Sequence, residues 1–80
     1  MDDGELVRRI SELADEEHRL ERSEVGEGPS AQELERLKAI EVALDQCWDL
    51  LRQRRARRRA GQDPDAAAVR PESTVEGYQQ

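Results

Sequence analysis

Apolar residues recur with helical spacing along the first third of the chain. Leu6, Ile10 and Leu13 are separated by steps of four and three, and Leu20 follows a full heptad later, which is an a/d seam. Val7 and Ala14 widen the seam on one side, and Arg, Glu, Asp and Ser fill the rest. The pattern predicts a helix over about residues 3–25, capped by Asp2 or Asp3, and Asp2 with Glu5 has capping-box spacing. GEGPS, residues 26–30, ends it, because two Gly and a Pro cannot extend a helix cheaply. Ser30 with Glu33 forms a second capping box, and a second helix is predicted over about residues 31–60. Gly61 suits the C′ position.

A connection this short favours antiparallel neighbours. Folding about Gly28 sets Leu20 beside Leu37, Leu13 beside Leu44, Ile10 beside Cys47 and Leu6 beside Leu51. On the second helix, Leu37, Ile40, Leu44, Cys47, Trp48 and Leu51 fall within about 60° either side of Leu44. Ala39, Ala43 and Leu50 extend one edge and Leu34 the other, to about 220° in all. One neighbour accounts for an apolar stripe of roughly 100°. The breadth therefore predicts a second neighbour. The fold expected is all-α, an antiparallel two-helix hairpin in residues 1–61 that dimerises into a four-helix bundle. Its self-association core is Leu6, Ile10, Leu13 and Leu20 with Leu37, Ile40, Leu44, Cys47, Trp48 and Leu51. Trp48, the largest side chain in the stripe, reads as core.

Residues 62–80 contain Pro64, Pro71 and scattered polar positions, and they predict a flexible or loosely docked tail. Residues 65–69 are long enough for one helical turn, and Tyr78 is the tail's only aromatic residue.

Composition sharpens this picture. Hydrophobic residues make up 35% of the chain, charged residues 40%, and Phe is absent, so a large core cannot form within one copy. Domains of this size commonly draw on disulfides, metals or self-association. Cys47 is the only cysteine, which excludes an internal disulfide and fits a reducing compartment. The acidic N-terminus lacks a signal-peptide pattern and no run reaches the ~20 apolar residues of a membrane span, so a cytoplasmic location is expected.

The net charge of −6 conceals a block pattern. Residues 1–51 carry 15 acids and 6 bases, whereas residues 52–59 carry six Arg and no acid. Arg52, Arg54, Arg55, Arg57, Arg58 and Arg59 are thus candidate contacts for a partner or for nucleic acid. No aromatic residue is interleaved with them, and the acidic remainder repels phosphate. Pairing with Asp2, Asp3, Glu5 and the helix C-terminus is favoured instead. The segment has almost no apolar face for a membrane.

Chemistry-bearing residues are sparse. Glu17 and Glu41 sit within the apolar seams, and with His18 they faintly suggest a carboxylate–histidine metal site across a dimer. The repeated Glu-x-x-His such sites use is missing, so pairing of these Glu with Arg22, Arg36 or Lys38 is preferred and no metal or cofactor is expected. Cys47 lacks a nearby base, since His18 lies about two turns, roughly 11 Å, along the hairpin. There is no phosphate-cradling Gly loop, catalytic triad or zinc cluster, and the chain is expected not to be an enzyme.

The block IEVALDQCWDLLRQRRA, residues 40–56, preceded by DEEH at 15–18 and followed by VRPESTVEGY at 69–78, resembles a known group. It is similar to the short actinobacterial proteins of domain-of-unknown-function family 2630. The resemblance covers nearly the whole chain and implies a small, helical, bacterial cytoplasmic protein. It implies no activity and no functional residue. The function expected is a non-catalytic interaction or adaptor module, self-associating through the second helix and meeting a protein partner of unknown identity. Nucleic-acid or ribosome association through the Arg block is the alternative, and a carboxylate metal bundle a remote one.

Overall fold

A computed structural model describes residues 1–22 and 29–76. Helix α1 spans Asp3–Arg22 and α2 spans Ala31–Arg59. A 3-10 turn follows at Pro64–Ala66, then the short helix α3 at Glu72–Glu76. No strand occurs among the described residues. The expected end of the first helix at 23–25, the Gly26–Gly28 break and Tyr78 lie outside the described residues.

Three helix ends, the starts of α1 and α2 and the end of α2, are built by the residues that predict them. The Glu5 amide donates to Asp2 Oδ1 at 2.8 Å and the Asp2 amide donates back to Glu5 Oε1 at 3.3 Å. The same reciprocal pair joins Ser30 and Glu33 at the start of α2. At the other end, Gly61 takes φ 73°, a left-handed conformation that costs Gly nothing. Its amide donates to the Arg58 carbonyl at 3.2 Å, and the Gln62 amide donates to that of Arg57 at 2.7 Å. That is a Schellman closure, and it turns the chain back along α2.

The two long helices are antiparallel neighbours. Leu6, Ile10, Leu50 and Leu51 form one buried cluster, with Leu44, Cys47 and Ala67 packed against it. Leu13 and Ile40 are also buried. Leu6, Leu51 and Ile10, Cys47 thus share the core as the hairpin register expects. Farther along, Arg36 grips Glu16 through two hydrogen bonds of 2.6 Å each.

The tail takes the docked form. Ala67 joins the core cluster, and the 3-10 turn and α3 both pack on α2. The turn forms at Pro64–Ala66, one residue ahead of its expected place, because Asp63 caps it by accepting from the Asp65 amide at 2.9 Å. The tail thus covers the Leu50 edge of the broad stripe, while Trp48 and Leu34 at its other edge stay exposed. The Cα atoms span 52 × 24 × 17 Å. Each long helix leaves apolar side chains exposed, Val7 on α1 and Leu34 and Trp48 on α2.

Candidate functional site

Helix α2 presents three sides with different fates. Ile40 and Leu51, on the side toward α1, are buried. A second side carries Gln46, Asp49, Leu50 and Gln53, and receives the tail. Gln46 donates to the Arg70 carbonyl at 3.2 Å, and Gln53 donates to that of Ala68 at 2.8 Å and to Asp49 Oδ2 at 2.9 Å. Asp49, only 1% exposed, also faces Arg70 Nε at 3.2 Å. A buried carboxylate is costly unless paired, and here it meets both a guanidinium and an amide. These polar clasps over the buried Leu50 fix the extended segment between the 3-10 turn and α3.

The third side is open. Trp48 is 44% exposed and Leu34 48%. Within one chain Trp48 is therefore not buried, although the wheel sets it in the apolar stripe expected to self-associate. Helix α1 occupies the Ile40–Leu51 sector and the tail occupies the Leu50 sector, and Trp48 lies at the edge of the first, about 60° from Leu51 on the wheel and away from the tail. Leu37, Leu44 and Cys47 are half-buried at the border, and Leu20 is half-buried on α1. On α1 the exposed Val7 lies on the wheel side opposite Glu16, the residue that grips Arg36.

The Arg block divides into structural and solvent-facing members. Arg54 is 6% exposed, so it is not available to a partner as the sequence suggested. Its Nε donates to Asp3 Oδ1 at 2.7 Å, and its terminal nitrogen reaches Asp65 Oδ1 at 2.8 Å and the Pro64 carbonyl at 3.3 Å. Arg58 donates to Asp3 Oδ2 at 2.8 Å. These hydrogen bonds hold the Asp3 carboxyl below the usual carboxylate range. Among the ion pairs of the described residues, Arg54 and Arg58 meet the acidic N-terminus at Asp3, while Asp2 and Glu5 cap each other. Arg52 is engaged within the chain. Among the described residues Arg55, Arg57 and Arg59 form no ion pair.

The remaining candidates stay apart. Arg36 pairs with Glu16 rather than Glu17 or Glu41. No three His, Cys, Asp or Glu side chains converge among the described residues. Cys47 is a free thiol at the edge of a shallow apolar groove shared with Leu6, Leu50 and Val69. Burial pushes the thiol up, outweighing the opposite pull of Arg9. No helix of the described residues is long and apolar enough to cross a membrane.

Sequence reasoning missed the tail-binding side. Its signal was a polar row at Gln46, Asp49 and Gln53, spaced three and four apart on one side of the helix.

The family model for "Protein of unknown function (DUF2630)" matches residues 2–80. The chain belongs to the DUF2630 family. An uncharacterized protein of Mycobacterium tuberculosis is 49% identical over 78 residues, covering 95% of this chain and 88% of the relative. An uncharacterized protein of Mycobacterium bovis matches with the same identity and coverage. No solved structure matches. The DUF2630 chain thus combines a helical hairpin, a tail docked on it, and an exposed side of α2 around Trp48.

Proposed function

We propose that this DUF2630 protein is a small non-catalytic interaction module of the cytoplasm that self-associates through the Trp48 side of α2. The observation that carries this is the exposure of Trp48, 44%, on a side of α2 that neither α1 nor the tail covers. Large aromatic side chains left at a surface are the usual anchors of protein interfaces. A thin 80-residue chain with 35% hydrophobic residues also has little core of its own, which self-association supplements. The non-catalytic reading draws on Cys47, the sole thiol, which packs against the core cluster and whose pKa is raised by burial. The cytoplasmic assignment rests on that unpaired cysteine.

Light scattering at micromolar concentration is expected to report a dimer. Trp48→Glu is expected to give a monomer with helix content retained, since the side chain lies outside the buried cluster. A wild-type protein that stays monomeric at several hundred micromolar overturns the reading.

A second reading, an anionic partner such as RNA at the Arg-rich end, is favoured by one observation. Arg55, Arg57 and Arg59 form no ion pair among the described residues. Salt titration of RNA binding tests it.

A further inference from the structure

The self-association proposed above leaves the arrangement of the two copies open, and the charges around Trp48 select one. Glu41 and Arg55 each lie seven residues from Trp48, on opposite sides of it along α2. Seven residues are two turns, so both point within about 20° of the Trp48 direction and stand about 10 Å from it along the axis. Both are exposed, and among the described residues neither forms an ion pair. Asp45 and Arg52, which have partners within the chain, repeat the same order of sign closer to Trp48. One half of this side is therefore acidic and the other basic, with the exposed indole between them.

Resting on that reading, we infer that the partner is a second copy of this chain, docked antiparallel about a two-fold axis through Trp48. Such an interface is self-complementary. It brings the two indoles together at the centre and sets Glu41 opposite the second copy's Arg55, twice. A parallel two-fold arrangement sets Glu41 against Glu41 and Arg55 against Arg55, and like charges held together disfavour it. The tail is no obstacle, because Gln46, Asp49 and Gln53 bind it on another side of α2.

The experiment is a charge swap read by sedimentation equilibrium of the full chain. Glu41→Arg alone and Arg55→Glu alone each replace two attractions by two repulsions, and each is expected to weaken the dimer about tenfold or more. The double variant Glu41→Arg/Arg55→Glu restores opposite charges at both places and is expected to recover most of the wild-type affinity. Circular dichroism confirms that each variant is as helical as wild type. If wild type dimerises but the single reversals leave the constant unchanged, or the double variant is no better than either single, the antiparallel register is overturned while self-association stands. If wild type never dimerises, both fall.

Discussion

Arg54 donates through Nε to Oδ1 of Asp3 at 2.7 Å, across 51 residues of chain. The same guanidinium reaches Asp65 and the Pro64 carbonyl. One planar group thereby joins the start of α1, the end of α2 and the tail, and with 7% of its side chain exposed it has little water to fall back on. Lys carries the charge but not the fork. Arg54→Lys and Arg54→Gln are both expected to lower the melting temperature by about 5 °C or more, a large shift for a domain this small. Thermal circular dichroism checks this, and a Lys variant as stable as wild type shows that charge alone suffices.

The carboxylates with depressed pKa values set the acid response. Asp3 is lowered by hydrogen bonds from Arg54 and Arg58, and Glu16 by those from Arg36. A carboxyl that binds its proton less readily folded than unfolded adds stability above its unfolded pKa and loses it as pH falls through the folded value. Urea midpoints are expected to be level from neutrality to about pH 5 and to fall progressively below about pH 4, where unperturbed carboxylates titrate. Asp3→Asn is expected to flatten that fall and lower the neutral-pH plateau.

Asp49 is the anchor of the tail. Asp49→Ala removes the acceptor shared by Arg70 Nε and Gln53 Nε2. The expected loss is about 1.5–3 kcal/mol, the range for hydrogen bonds to a charged group. Hydrogen exchange locates it. The Ala66 and Ala67 amides, bonded to Asp63 and Pro64 in the docked turn, are expected to exchange much faster, while those at the centre of α1 stay protected.

What the sequence made legible was whatever local rules control. The two capping boxes and Gly61 depend on residues within one turn of each other, and they stand where spacing puts them. The register that sets Leu6 beside Leu51 also sets Asp3 beside Arg54, so this partly buried ion pair follows from the hairpin. The burial of Asp49 was not legible. An acid on an amphipathic helix reads as solvated unless the segment that covers it is known, and the covering residues Ala68 and Arg70 lie 15 and 24 residues from the Gln side chains that hold them. Trp48 shows the limit of periodicity. A helical wheel tells which residues share a side, but not which side a short tail takes. The blocks 40–56 and 69–78 that carry the family resemblance include residues that clasp each other, Gln46 and Asp49 with Arg70.

Cys47 behaves as a packing residue. Burial raises its pKa, so the thiolate fraction at neutral pH is below that of a free cysteine. Reaction with a disulfide reagent is expected to be slow in the native protein and to accelerate in urea. Cys47→Ala is expected to cost about 1 kcal/mol, a small cavity at a half-buried site. Fast native modification contradicts the packing role.

The division of the Arg block makes a quantitative statement about nucleic acid. Six free guanidiniums neutralising six phosphates of single-stranded RNA give a log–log salt slope of about −4. Arg54 is buried and Arg58 is held by Asp3. Arg55, Arg57 and Arg59 remain without ion pairs among the described residues, and three contacts give a slope of about −2. Fluorescence anisotropy with a short single-stranded RNA is therefore expected to show weak binding with a slope no steeper than about −2 per chain. Arg57→Gln with Arg59→Gln is expected to reduce even that, without changing helix content, since Gln is a fair helix former. A slope near −4 requires Arg54 and Arg58 to leave Asp3, and Asp3→Asn then strengthens RNA binding. If the slope is shallow and the Gln variant dimerises as wild type does, Arg57 and Arg59 end the helix in favourable alignment with its dipole, and the open Trp48 side is left as the surface that meets a partner.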